Sequence, residues 1–397
     1  MSDAVDAVKD RTDAEVDRLA DMLIDVSHRI HERPELAFEE HHAHDLLTEV
    51  LEAEGMEVER SAYGLDTAFA SRAGSDGPTV AVCCEYDALP GLGHACGHNI
   101  IAAAGLGAGV AAAAVADELG GRVLILGTPG EEGGGGKQLM IDQGALDGVD
   151  AAVMVHPAGA DLRTMDSLAI QRVTVTYVGH ASHAAAAPEK GRNALDAAVL
   201  GYLNVAALRQ HIRPDERIHG IFLSAGDAAN IVPARTEAQW YVRSPSSQGL
   251  DDLRERVSTC LGAGADAAGC EMQMDWYEPA YDELVGLESF DDLYAANAAR
   301  VDRAVLRPGV DGAARVVGST DMGNVSQVVP SIHPMIAVSP PEVAIHTAAF
   351  AVHARAPEGD RAVIDGAKAL ATTVADLWMR PEALSAVRAE FAGRPTA

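Results

Sequence analysis

The 397-residue sequence predicts an α/β protein: a mostly parallel sheet with helices on both faces, interrupted by an inserted α+β domain built on an antiparallel sheet. Three observations carry that prediction. Apolar runs at 79–84, 122–127 and 151–155 read as buried strands, and helix-like segments separate them, the signature of a parallel sheet covered on both sides. Each run ends in a loop of polar, metal-competent residues, at the strand ends where α/β folds place their sites. From about Ala169 the pattern changes, and 170–177 alternates with period two, as a half-exposed antiparallel strand does.

The elements follow in order. Val16, Leu19, Leu23, Ile24, Val26 and Ile30 recur at helical spacing over 12–31, with Thr12 or Asp13 as candidate caps and Pro34 as the break. A second helix is predicted over 38–54, ending at Gly55. Segments 56–60 and 67–71 read as strands and 74–78 as a turn. The Ala/Gly-rich stretch 100–116 is long enough to be tested as a membrane span. Ala and Gly partition weakly into lipid and Asp117-Glu118 follows at once, so a buried helix is predicted. In the inserted part a helix is expected over 193–210, strands over 218–224 and 237–243, and a helix over 250–261. Helices over 288–305 and 360–378, and one starting in 347–353, complete the first domain. The resulting division is 1–168 and 279–397 for the catalytic domain and 169–278 for the insert.

The formal charge of −29, from 59 acidic against 30 basic residues, repels nucleic acid and anionic membrane. The only lysines are Lys9, Lys137, Lys190 and Lys368, and this acidic, Lys-poor composition is similar to that of salt-adapted proteins. Aromatic residues make up 4%, so the core must rest on Ala, Val, Ile and Leu. Five cysteines in no framework spacing, and a charged N-terminus without an apolar segment, predict reduced thiols in a cytoplasmic protein.

Cys96 and His98 flank a glycine in the loop after the first strand, so both side chains can turn toward one point. Glu131 and Glu132 sit between Pro129 and the glycines 133–136; two adjacent carboxylates repel unless something positive is near. The glycine run lacks the form of a phosphate loop. His156-Pro157 follows the third strand, and His346 lies late in the chain. Cys96, His98, Glu132, His156 and His346 are five candidate ligands, too many for one open zinc and suited to two ions about 3.5 Å apart. Glu131 is then left as general base.

Segments 84–99, 128–137, His156-Pro157 and 318–326 resemble the dinuclear metallopeptidase family of aminoacylases, acetylornithine and succinyl-diaminopimelate deacylases and glutamate carboxypeptidases. Cys96-Gly97-His98 resembles the amidohydrolase subfamily. The strings 85–99 and 318–326 look like the branch of aminobenzoyl-glutamate hydrolases and β-alanyl-lysine type dipeptidases, over about residues 20–380. The resemblance implies that Cys96 bridges and that Asp87 orients a ligand. It implies that the insert is a lid and dimerisation domain, and that the protein is a homodimer. It also implies that His183 reaches a partner's active site to polarise the scissile carbonyl, with Asn230 and Arg243 holding the substrate's carboxylate. Asn99 stands where much of the subfamily has Asp, which predicts a different environment around His98. Glu85 is not claimed as a ligand, and His94 is read as a loop residue.

The implied reaction is metal-assisted hydrolysis of an amide beside a free carboxylate, in a dipeptide or an N-acyl or aroyl amino acid. Zinc is the first expectation, with manganese, cobalt or nickel as alternatives. An N-acyl amino acid deacylase is the nearest competing function. A non-catalytic metal-binding or regulatory protein on the same fold is the more distant one, and the spare carboxylate of Glu131 argues against it.

Overall fold

The computed structural model describes residues 2–310 and 315–394. The chain divides into two compact units, one running up to Asp166 and resuming at Leu284, the other being Ser167–Glu283.

The first unit is built on a six-stranded sheet in the order Val58–Arg60, Phe69–Ala73, Arg122–Thr128, Thr79–Glu85, Ala151–Val153, Ser331–Ile332. The last four strands run parallel and the first two add antiparallel, so the sheet is mostly parallel. Alternate residues of each strand face opposite layers. Val80, Val82, Val123, Ile125 and Val153 pack with Leu19, Leu23, Ala103, Leu106, Ala367 and Leu370 of the long helices Ser2–Glu32, His98–Leu119 and Pro357–Met379. Ala81, Cys83, Leu124, Leu126 and Ala152 pack with Met140, Met322 and Val325, from the short helices Gly136–Asp142 and Met322–Val328. His98–Leu119 is apolar enough to cross a membrane, yet it is buried along nearly its whole length.

The second unit is a four-stranded antiparallel sheet in the order Glu271–Trp276, Ala169–Val178, Arg235–Ser244, Arg217–Ser224. Helices Ala194–Leu208 and Ser247–Ala268 bury Ala197, Val205, Leu253, Val257 and Leu261 against Val173, Val175, Tyr177, Trp240 and Val242. Asn193 caps the first helix through Leu195 N and Ser246 the second through Gly249 N.

Several boundaries differ from expectation for identifiable reasons. The first helix starts at Ser2, not near Thr12, because the buried stripe continues to Val8; Thr12 lies inside and its hydroxyl donates to Val8 O at 3.0 Å. The second helix starts at His41, because Phe38 is left-handed at φ 64°. The strand expected over 151–155 stops at Val153, and His156–Ala158 pairs separately with Met335–Ala337. The helix expected over 288–305 ends at Ala298.

Candidate metal centre

Three strands of the first unit deliver the site from their C-terminal ends, and His98 opens the long buried helix. The strand Thr79–Glu85 leads into Glu85 and Asp87, both wholly buried. Asp87 divides its carboxylate. Oδ1 lies 3.1 Å from His98 Nδ1, and Oδ2 accepts the backbone N–H of Glu132 at 2.8 Å. One acid thus fixes both a histidine and the glutamate loop, and it leaves His98 Nε2 facing inward. That nitrogen lies 3.1 Å from Glu85 Oε1 and 3.9 Å from Glu132 Oε1.

His156 is held in the complementary way. Its Nδ1–H donates to Pro157 O at 2.8 Å, and Nε2 points at Cys96 Sγ, 3.5 Å away. Burial, with the nearby charge of His98, lowers His156 to about 4, so it is a neutral imidazole whose Nε2 lone pair faces the Cys96 thiol. His346 Nε2 reaches Glu132 Oε1 at 3.3 Å, and its backbone N–H is tied to Ala95 O at 2.8 Å. Its φ of 65° is a strained state for a residue of this size, of the kind found at functional sites.

The ligand atoms fall into three groups, each mutually within 4.8 Å: Cys96, His98 and His156; Cys96, Glu132 and His346; Glu85, His98 and Glu131. The five sequence-predicted ligands therefore form two triads that share Cys96. Glu131 and Glu132, adjacent in sequence, fall into different groups.

The charge balance and the hydrogen bonding both suit divalent cations. Glu85, Asp87, Glu131 and Asp321 are buried and Glu132 is half-buried, against Lys137 and His98 as the cations among them. Among the described residues, Glu85 Oε1, His98 Nε2 and Glu132 Oε1 are buried with ion-pair contacts but no well-aligned hydrogen bond. Such an excess of buried negative charge is costly unless a cation joins it. Burial, then the charges of Glu85, Glu132 and Asp321, hold Glu131 well above the usual carboxylate range. Burial opposes charge on His98, but Glu85, Cys96 and Asp87 together raise it well above the ordinary value. Burial pushes the Cys96 thiol up, against the pull of His98. A bound cation reverses that logic, because coordinated thiols lose their proton.

Residues 81–376 match the family described as Peptidase family M20/M25/M40. The Xaa-Arg dipeptidase of Mus musculus is 38% identical over 403 residues, spanning 98% of this chain and 93% of that protein. The chain belongs to the M20 peptidase family. One of the two p-aminobenzoyl-glutamate hydrolase chains of Escherichia coli (strain K12) is 34% identical over 255 residues, 59% of this chain and 53% of that protein. A dinuclear metal binding M20 peptidase from Bacillus subtilis has the same fold, with a TM-score of 0.70 at 20% identity over 92% of this chain and 99% of that one. The protein is thus an M20 hydrolase with a mostly parallel catalytic sheet and an antiparallel second domain.

In this M20 hydrolase the three remaining predicted residues belong to the second unit. His183 is exposed, and its Nδ1 accepts from Ala185 N at 3.2 Å and Ala186 N at 3.1 Å. Asn230 lies beside it, its carbonyl accepting from Ala184 N at 3.0 Å. Arg243 is half-buried on the strand Arg235–Ser244, opposite Ile170 and Arg217, and burial lowers it from the usual guanidinium value.

Asn99 does not enter the surroundings of His98. It turns away to donate to Ser27 Oγ at 2.8 Å and Ala354 O at 2.9 Å. His94 is a buried loop residue whose Nε2 lies 3.1 Å from Ile30 O. Sequence reasoning missed the buried ion cluster beneath the site. Lys137 Nζ bonds Glu85 Oε2, and Asp321 Oδ1 at 2.6 Å, while its backbone N–H bonds Asp321 Oδ2 at 3.0 Å. The rarity of lysine in the chain was the available signal. His333 was also missed: it is buried 5.3 Å from the His156 ring, and both its nitrogens lack a hydrogen-bond partner among the described residues. His333-Pro334 repeats the dipeptide His156-Pro157, which is the clue it offered.

Proposed function

We propose that this M20 hydrolase is a metal-dependent amidohydrolase that cuts the amide bond of a dipeptide beside its free carboxylate. The observation that carries the reading is the pair of ligand triads joined at Cys96, with Glu131 outside both. Two three-ligand sets with Cys96 in common would suit two divalent ions, and the buried carboxylate of Glu131, which belongs to neither set, suits a base. Zinc is proposed first for its match to thiolate and imidazole, with manganese, cobalt or nickel as alternatives. Cys96, His98 and His156 would hold one ion, and Cys96, Glu132 and His346 the other.

Bound there, the ions would supply a Lewis acid for the scissile carbonyl and a water of lowered pKa. Glu131 accepts a proton from the attacking water as its oxygen bonds the amide carbon. The C–N bond then breaks, and Glu131 returns the proton to the leaving nitrogen, so one water is consumed per amide. Asp87 keeps His98 in the tautomer that leaves Nε2 free. His183 of a second copy donates to the carbonyl oxygen; its Nδ1 is already an acceptor for Ala185 and Ala186, which leaves Nε2–H as the donor. Asn230 and Arg243 take the substrate's carboxylate.

Self-association through the second unit is supported by an apolar patch. Its edge strand Arg217–Ser224 exposes Ile221, Phe222 and Leu223, and helix Ala194–Leu208 exposes Val199, Leu200 and Leu203. The rings of Tyr202 and Phe222 stack at 6.1 Å and join the two surfaces. A cytoplasmic setting is supported by five free cysteines. The acidic shell fits a salt-adapted surface.

A panel of metal-loaded assays tests the substrate class. Xaa-Arg and β-alanyl dipeptides and aminobenzoyl-glutamate are compared with N-acetyl amino acids. Dipeptides should give the highest kcat/KM. Preference for N-acetyl amino acids would move the assignment to a deacylase, and no hydrolysis by any metal-loaded preparation would support a binding role.

A further inference from the structure

The loop 34–40 supplies no predicted ligand, yet it grips both loops that carry the site. Its residue Glu40, at the start of helix His41–Ala53, is wholly buried. One carboxylate oxygen accepts the backbone N–H of Gly130 at 2.8 Å, and the other accepts the Thr67 hydroxyl at 2.9 Å. Gly130 immediately precedes Glu131. Glu35 closes the other side: its carbonyl accepts the N–H of Ala88, next to Asp87, at 2.8 Å. The Glu35 carboxylate is itself fixed by the backbone N–H groups of His42 and Ala43, at 2.8 and 3.1 Å.

Between these two contacts stands Phe38, in a left-handed backbone state that bulky residues avoid, at φ 64°. Its ring covers the glycine run so closely that no side chain fits beneath it. A Cβ on Gly130 would stand 2.7 Å from the ring, and one on Gly134 would stand 2.5 Å from it. Gly130 and Gly134 are explained by this close approach, without any phosphate. Backbone strain held by surrounding contacts is the mark of a segment kept for position.

We propose that Glu40 and Phe38 are positioning residues that clamp the Gly130–Gly136 loop, and so set where the Glu131 carboxylate stands. The proposal rests on the reading of Glu131 as base. Glu40 touches neither substrate nor ligand; it acts through the Gly130 N–H. A carboxylate or an amide of the same shape performs that task equally, whereas a methyl group cannot.

The test uses the full-length, metal-loaded protein and the variants Glu40→Ala, Glu40→Gln and Phe38→Leu. Glu40→Ala should lose about 10- to 100-fold in kcat, the scale of a small misplacement of a catalytic group, with KM within about threefold and metal content unchanged. Amide hydrogen exchange should quicken across 130–136 and stay as in the wild type elsewhere in the catalytic sheet. Glu40→Gln should stay within about threefold of wild-type kcat. Phe38→Leu should show the same local exchange with a smaller loss, and it carries the test if Glu40→Ala does not fold. Unchanged exchange at 130–136 in the folded variants would overturn the proposal, as would a Glu40→Gln enzyme as impaired as Glu40→Ala. Failure of the base reading looks different: Glu131→Gln would be active while the exchange result in Glu40→Ala still held.

Discussion

The loops of Cys96, His98, Glu131 and His156 and the segment that carries His183 and Asn230 are held in opposite ways. In the first, functional atoms are buried and almost every one has a fixed neighbour. Asp87 serves two loops, Pro157 O sets the tautomer of His156, and Lys137 neutralises two acids from below. In the second, His183 is exposed and steadied by two backbone N–H groups of its own turn. A buried site must have its geometry built in, because misplaced charges there are expensive. An exposed histidine needs only the right protonated nitrogen, and in the proposed dimer a second copy of the chain would complete its position.

The largest expected effect breaks the first region at its least replaceable atom. Glu131→Gln should lower kcat by about 10²–10⁴-fold while the metal content measured by elemental analysis stays that of the wild type. Near-full activity in that variant would remove Glu131 as base. The next effect sharpens the contrast. His183→Ala should cost about 10²–10³-fold in kcat with bound metal unaffected. Mixing it with Glu131→Gln should restore activity that neither has alone, because one site of each mixed dimer is then intact. No recovery on mixing would place the action of His183 within its own chain, or nowhere.

A third and more graded effect concerns the apolar patch. Leu203→Asp with Phe222→Asp should shift the protein to monomer in light scattering and lower activity to about the level of His183→Ala. An unchanged mass would put the interface elsewhere. The smallest effect is a pH trend. Burial, with the charge of Asp87, pushes Glu40 up to about 7 from 4.5. A carboxyl raised in the folded state contributes stability that is full below its ordinary value and is lost as pH rises through the folded one. The melting temperature of the metal-free protein should therefore fall, relative to Glu40→Gln, by a few degrees between pH 4.5 and about 7. A constant difference over that range would mean that Glu40 is not titrating there.

Much of the first region was legible because strand ends in α/β folds concentrate chemistry. The apolar runs 79–84, 122–127 and 151–155 announce the sheet, and the polar residues after them announce the site. His346 joins the candidate ligands only in company with the other four, since nothing local in 345–350 marks it. The lid residues were legible by resemblance alone. Lys137, Asp321 and His333 escaped because a buried charge or imidazole has no periodic signature. Lys137 is defined by partners 52 and 184 positions away, and His333 by two ring nitrogens with no hydrogen-bond partner among the described residues. Glu40 escaped for a related reason: a glutamate at a helix start reads as a solvated cap until the fold brings Gly130 over it. Phe38 was misread as the first helical residue, since sequence periodicity does not reveal a left-handed φ.

The central claim is that Cys96 joins two ligand triads into one dinuclear centre. Titration of metal-free protein with zinc, read by calorimetry and elemental analysis, tests it most directly when wild type is compared with Cys96→Ala. Wild type should bind about two ions per chain, and Cys96→Ala should lose affinity for both, since the thiolate belongs to each triad. Two ions bound with unchanged affinity by Cys96→Ala would contradict it.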